Sequence, residues 1–194
     1  VTLLQRSGHI LSQGDEDLAL PVEDRFREEG MSLFTGTKII KVAKENDRSA
    51  IYFEHEGKEK RVEAETILQA LGRRPNINGL NLAAAGVETD KGRVTVDGDM
   101  RTNQKNIFAV GDVNGIHEVV HIAIQQGEIA GFNACNPETS KEVDDRLKAS
   151  VVFTDPAVAS VGLSEKECKA ENIQYLVASH PFSDHGKSMC LGET

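Results

Sequence analysis

The chain has 194 residues, with 22 basic against 31 acidic side chains, a formal charge of −9 and a pI near 5.2. That balance argues against a nucleic-acid or acidic-membrane partner, since both select basic surfaces. Hydrophobic residues at 39% suffice for a packed core, and charged residues at 27%, mixed in sign, do not describe a disordered tail. No apolar run approaches the ~20 residues of a membrane helix, and the N-terminus lacks the pattern of a secretion signal. Cys135, Cys168 and Cys190 are an odd number without CxxC or CxxxxC spacing, which fits a reducing cytoplasm better than a disulfide framework. The chain opens at Val1 inside an apolar run and closes at Thr194 without a terminating helix, so the sequence reads as an internal piece of a longer protein.

In chain order, Val1 to Gln5 reads as a strand, followed by a turn-rich stretch and a helix that starts at Asp15-Glu16-Asp17. Leu18, Val22 and Phe26 give this helix an apolar stripe, and Gly30 suits its C′ position. Pro21 costs it a backbone bond and kinks it unless the first turn begins at Leu20. Met31 to Phe34, Lys38 to Val42, Ala50 to Phe53 and Lys58 to Glu63 read as strands, with a turn at Asn46-Asp47. The charged run Glu56 to Arg61 is a solvated strand edge.

Thr66 to Ala70 reads as a buried strand leading into Leu71-Gly72-Arg73-Arg74-Pro75-Asn76. Residues 78 to 90 form a loose excursion, Gly92 to Val96 a short strand and Asp97-Gly98-Asp99 a turn. Ile107 to Val110 reads as an apolar strand ending on Gly111-Asp112, before a helix from about His117 to Asn133. That helix is apolar nearly all round and is expected to be buried. Gly127 and Gly131 weaken it unless another backbone packs against that face. Residues 136 to 148 are a polar linker. Ser150 to Phe153 and Ala157 to Val161 then read as strands, Ser164 to Glu171 as a capped helix and Tyr175 to Ala178 as a strand.

The segment Thr102-Asn103-Gln104-Lys105-Asn106-Ile107-Phe108-Ala109-Val110-Gly111-Asp112 carries the most chemistry. The glycine permits close backbone approach, and the carboxylate can accept hydrogen bonds from sugar or ribityl hydroxyls. The following helix start offers unpaired amides and about half a positive charge. A bland reading competes, in which Asp112 only caps a turn. His121, inside an apolar helix, reads as a satisfied core histidine sooner than as a catalyst. His9, His55, His117, His180 and His185 show no metal spacing, so no metal site is expected. The three cysteines read as inert, Cys168 as a small hydrophobe on its helix.

This segment resembles the second flavin-binding motif of the pyridine nucleotide-disulfide oxidoreductases, the family of dihydrolipoyl dehydrogenase, glutathione reductase and mercuric reductase. Ala70-Leu71-Gly72-Arg73-Arg74-Pro75-Asn76 is similar to the family's crossover between its NAD and FAD domains. Val151 through Leu163, with Phe153-Thr154-Asp155-Pro156 at its heart, is similar to the start of its interface domain. The resemblance implies an α/β fold, with partial FAD/NAD(P)-binding Rossmann-like domains followed by the start of an α+β dimerisation domain. The implied divisions are residues 1–72, 73–145 and 146–194: the second half of an NAD(P) domain, the returning half of an FAD domain and the first part of a dimerisation domain.

The resemblance further implies that Asp112, beside Gly111, binds the FAD ribityl chain. Glu118, Val119, Val120 and His121 present backbone to the isoalloxazine, while Gln5, Ile39 and Gly72 line the nicotinamide nucleotide site. Gln5 stands where similar NAD-preferring members carry an acid, and Arg6 can pair with a 2′-phosphate or remain an ordinary solvated charge, which leaves NADH and NADPH both open. The implied reaction passes a hydride between NAD(P)H and a small or protein-bound disulfide through flavin, in a cytoplasmic homodimer. General likeness is greatest to dihydrolipoyl dehydrogenase, with mercuric reductase and glutathione reductase as alternatives. The family's redox cysteine pair, glycine-rich loops and His-Glu pair have no counterpart here, so the chain alone is not expected to catalyse. A non-catalytic module for nucleotide binding or dimerisation is the competing class.

Overall fold

A computed structural model describes residues 1–144 and 148–192. The first unit is β1 (Thr2–Leu4), α1 (Glu16–Glu28) and β2 (Ser32–Phe34). The two strands lie parallel, Thr2 opposite Ser32 and Leu4 opposite Phe34, and parallel neighbours need a crossover, which α1 supplies. The helix buries Ala19 and Val22 against Ile10, with Leu3, Phe26 and Leu33 around them. Pro21 sits in its interior, because the first turn begins at Glu16 and not at Leu20; one backbone bond is given up there. The helix ends as the glycine predicts: Gly30, at φ +84°, donates to the Arg27 carbonyl and Met31 to the Phe26 carbonyl. This Schellman pairing satisfies the last carbonyls. Glu23 is buried on the same helix, accepting from Ile10 N at 2.9 Å and from Arg27 Nη2 at 2.8 Å, so it fastens the loop after β1 to α1.

A three-stranded antiparallel sheet follows, β3 (Lys38–Glu45), β4 (Arg48–His55) and β5 (Lys58–Ala64), with β4 in the centre. Glu56 and Gly57 both have positive φ, as a two-residue primed hairpin turn requires. Ala50 and Phe53 on β4 are buried, and the Phe53 ring meets Phe34 edge-on at 5.3 Å, joining this sheet to β2.

Residues 65 to 76 run without a strand, contrary to the expectation for Thr66 to Ala70, and Leu68 and Leu71 are 90% and 86% exposed. A strand needs a neighbour for its N–H and C=O groups, and no described strand lies alongside. The excursion beyond is more ordered than expected. It holds a 3₁₀ turn at Leu82–Ala85 and a minimal hairpin of β6 (Thr89–Asp90) and β7 (Arg93–Val94). Val87, Val94 and Ala109 form its core. Ile107 to Val110 is likewise not a ladder strand. Its regular pairing is a single bridge between Arg101 and Phe108, supported by Thr102 N donating to Ile107 O and Ala109 N to Met100 O.

A 3₁₀ turn at Gly111–Val113 leads to α2 (Val120–Cys135), which begins three residues later than expected. The helix is also not buried all round. Ile122, Gln126, Ala130 and Asn133 form its buried stripe, whereas Val120 and Ile124 are 77% and 58% exposed. Among the described residues nothing comes within 4 Å of a Cβ built on Gly127 or Gly131, so the expected close backbone is not there.

β8 (Ala149–Val152) and β9 (Val158–Val161) pair antiparallel, and α3 (Glu165–Ala170) follows under a capping box of Ser164 and Glu167. Tyr175 to Ala178, expected as a strand, is coil with Leu176 fully exposed. The last described element is a helix the sequence reading did not expect, α4 (Gly186–Leu191). The expected division at residues 145/146 lies outside the described residues, as does part of the expected linker. The ends of the chain meet. Val158 packs on the core of Ile10, Ala19 and Val22, and the Asp15 carboxylate accepts from Glu165 N (2.8 Å) and Lys166 N (3.0 Å) at the start of α3. Among the described residues no helix is long and apolar enough to cross a membrane.

Candidate functional site

The loop between Val110 and α2 is shaped by its glycine. Gly111 is buried at φ +71°, and a Cβ there would stand 3.0 Å from the Ala123 Cβ. Only a residue without a side chain brings this turn so close to the helix. Asp112, the next residue, points its carboxylate to the surface, half-exposed, with the Arg73 guanidinium 3.6 Å away. It does not serve as a helix or turn cap: the 3₁₀ turn has no side-chain cap, and its closing bonds run from Asn114 N and Gly115 N to backbone carbonyls.

Glu118 and Val119 are ahead of α2, and Val119 is its N-cap residue in extended backbone conformation with no side-chain hydrogen bond. The first intrahelical donor is Ala123 N, to Val119 O at 3.0 Å. The amides of Val120, His121 and Ile122 therefore have no acceptor within the helix, and among the described residues no side chain caps the positive end of its dipole. His121 is exposed, and its Nε2–H donates to the Ala149 carbonyl at 2.9 Å, linking the helix start to β8.

Below this loop a buried amide network holds it in place. Gln126, fully buried on α2, accepts through Oε1 from Gly111 N (2.7 Å) and from Asn114 Nδ2 (3.0 Å). Asn114 Nδ2 also donates to Ala109 O at 3.2 Å, while Asn114 Oδ1 accepts from Ile116 N at 3.0 Å. At the other end of α2, buried Asn133 Nδ2 donates to the carbonyls of Asp99 and Lys141 and its Oδ1 accepts from Lys141 N. In the turn it pins, burial and then the neighbouring Asp99 push the Asp97 carboxyl up, while the hydrogen bond from Asp97, ahead of Arg101, holds Asp99 down.

The remaining candidates form a second group. Gln5 lies just past the C-terminal end of β1; its N donates to Phe34 O at 2.8 Å and its carbonyl accepts from Thr37 N and Thr37 Oγ1. Arg6 is exposed beside it, and Ile39 is half-exposed near the start of β3, two residues from Thr37. Gly72, at φ +94°, is followed by Arg73, whose guanidinium faces Asp112. Gln126, Asn114 and Arg73 were not foreseen as site residues. The signal for Gln126 was its spacing of four from both Ile122 and Ala130. Among the described residues no group of three or more His, Cys, Asp or Glu comes together to hold a metal ion.

Two parallel strands joined by a helix, a glycine turn tucked under a second helix and an open acid at that helix's uncapped start define an α/β protein with the apparatus of a nucleotide-cofactor fold. The chain belongs to the pyridine nucleotide-disulphide oxidoreductase family, whose model matches residues 1–127; the model of that family's dimerisation domain matches residues 148–194. It is 34% identical over its whole length to a dihydrolipoyl dehydrogenase of Mycobacterium tuberculosis, of which it covers 42%, and 33% identical to a mercuric reductase of Staphylococcus aureus, of which it covers 36%. A solved structure of LpdA from Mycobacterium tuberculosis superimposes with a TM-score of 0.84 at 26% identity, over 99% of this chain and 41% of that one. The chain thus spans about two fifths of the length of the curated relatives it matches. The family works with FAD and a nicotinamide nucleotide.

Proposed function

We propose that this chain is part of an FAD-dependent oxidoreductase passing a hydride between NAD(P)H and a disulfide, with the lipoyl disulfide of a dihydrolipoyl dehydrogenase as first choice of substrate. The observation that carries the proposal is the Gly111-Asp112 turn, seated by Gln126 at the uncapped start of α2. The residues present suit the cofactor. Asp112 offers a half-exposed carboxylate to polyol hydroxyls, and Gly111 lets the turn that precedes it stand close to the helix. The backbone of Glu118, Val119, Val120 and His121 runs into the start of α2, where amides with no acceptor inside the helix stabilise negative charge on a bound ring. FAD, when bound, supplies the two-electron relay between nicotinamide and disulfide. Gln5, Arg6, Ile39 and Gly72 take the nicotinamide nucleotide: Gln5 offers no charge against a 2′-phosphate, and the Arg6 guanidinium pairs with one.

The proposal divides the chain at 72/73 and 145/146 into NAD(P), FAD and dimerisation portions. It makes the working protein cytoplasmic and a homodimer through the last portion; the dimerisation-domain match supports the homodimer. Mercuric reductase is the second reading, favoured by an identity within one percentage point of the first.

The test is absorbance of the purified full-length protein. Yellow flavin bands bleached by NADH or NADPH are expected; a colourless protein overturns the oxidoreductase and leaves a binding module. Within the coloured protein, Asp112→Ala removes a charged hydrogen-bond acceptor worth ~1.5–3 kcal/mol, a loss of FAD affinity of at least about tenfold. Unchanged flavin retention refutes the role given to Asp112.

A further inference from the structure

We infer that Gln126 is the positioning residue of the flavin site, acting through its side-chain oxygen on the Gly111 amide that leads into Asp112; this rests on the flavin reading of Asp112 given above. Gln126 has no exposed surface, sits in the middle of α2 and spends its oxygen on two donors of the Gly111–Asn114 turn. The direction of every bond in the network is settled by backbone groups that cannot reverse. Ile116 N can only donate, so Asn114 turns its oxygen toward it. The Asn114 amino group then faces the Ala109 carbonyl, which can only accept, and Gln126. Gly111 N is a second donor aimed at the same atom. Gln126 must therefore present Oε1, and its own amino group is turned away, where Nε2 is buried with no partner among the described residues.

A buried donor left unpaired is unfavourable, so the fold uses this side chain for its oxygen at the expense of its amino group. What the oxygen holds is the amide of the Val110–Gly111 peptide, one residue before Asp112 and against the first turn of α2. Without the acceptor, Gly111 N and Asn114 Nδ2 lose their common anchor, and the carboxylate loses its fixed place over the helix start. Gln126 touches neither ring nor polyol in this account; it sets where Asp112 stands.

The experiment is a double-mutant cycle on the full-length protein, reading FAD dissociation by fluorescence. Gln126→Met keeps length and removes the acceptor; Gln126→Glu keeps the acceptor and removes the amino group. Gln126→Met is expected to weaken FAD at least tenfold with Asp112 present and less than twofold in the Asp112→Ala background, while Gln126→Glu stays within about threefold of the parent. An equal factor in both backgrounds overturns the inference, since a merely structural role weakens binding whatever stands at 112. A Gln126→Glu protein as weak as Gln126→Met also overturns it. If Gln126→Met does not fold, Gln126→Glu alone decides, by FAD affinity and by amide exchange at Gly111: protection retained upholds the role of the oxygen, protection lost overturns it. Asp112→Ala with unchanged FAD affinity is the distinct failure of the flavin reading and removes this inference with it.

Discussion

Asp15→Ala tests how the two ends of the chain are joined. Asp15 is the N-cap residue of α1 by position, yet its side chain makes no hydrogen bond there. Both carboxylate oxygens instead serve α3, 150 residues away, accepting from Glu165 N at 2.8 Å and Lys166 N at 3.0 Å. Lys166 Nζ reinforces the contact by donating to the Ser12 carbonyl at 2.9 Å. Truncation leaves two first-turn donors of α3 without acceptors. Water reaches the exposed Lys166 amide at little cost, so the loss falls mainly on the half-buried Glu165 amide and on the charge at the helix start. Cap deletions cost ~1 kcal/mol and charged hydrogen bonds somewhat more, which sets the expected destabilisation at about 1–2 kcal/mol. For an unfolding unit of about 150–250 residues that lowers Tm by about 2–8 °C. Asp15→Asn, which keeps one acceptor, loses about half as much. The assay is thermal unfolding combined with hydrogen exchange. Protection must fall at residues 165–168 and stay unchanged at residues 16–20. Loss confined to the start of α1, or a shift below 1 °C, refutes the cross-chain cap.

Glu167 provides a pH test. Its carboxyl is held at about 2 against an ordinary 4.5, first by the hydrogen bond from Lys148 and then by the Ser164 backbone amide. A folded-state value below the unfolded one means that the contribution is complete above pH 4.5 and is lost as pH falls toward 2. Urea midpoints measured across that window are expected to fall more steeply for the parent than for Glu167→Gln; parallel curves refute the assignment. At Gly111, substitution by alanine adds a Cβ 3.0 Å from the Ala123 Cβ and forces a left-handed φ on a residue with a side chain. A loss of about 1–2 kcal/mol in thermal unfolding is expected from the backbone alone, and an unchanged Tm shows that the turn relaxes freely.

Local signals were readable wherever the elements answer for themselves. α1 declared its stripe at Leu18, Val22 and Phe26 and its end at Gly30, and the hairpin through Asn46 followed from its turn residues, whereas the turn at Glu56-Gly57 lay inside a run read as a strand edge. The three failed strands, Thr66 to Ala70, Ile107 to Val110 and Tyr175 to Ala178, share one cause: apolar content makes a segment fit for a sheet, but a partner strand makes it one. The burial of α2 was over-read for a related reason, because composition does not say which face meets a neighbour; only the 122-126-130-133 stripe does. At the site, Gly111 and Asp112 stood out because their chemistry is local. Gln126 did not, since a polar residue in an apolar helix acquires meaning only when the donors facing it are known. Asp15 could not be paired with α3 from spacing at all.

The bond from His121 to Ala149 fixes more than a distance. An oxygen of that kind has no hydrogen to give, so the neutral imidazole must keep its proton on Nε2 and carry its lone pair on Nδ1. The tautomer of a ring at the mouth of the helix is thus dictated by a strand in the region that matches the dimerisation domain.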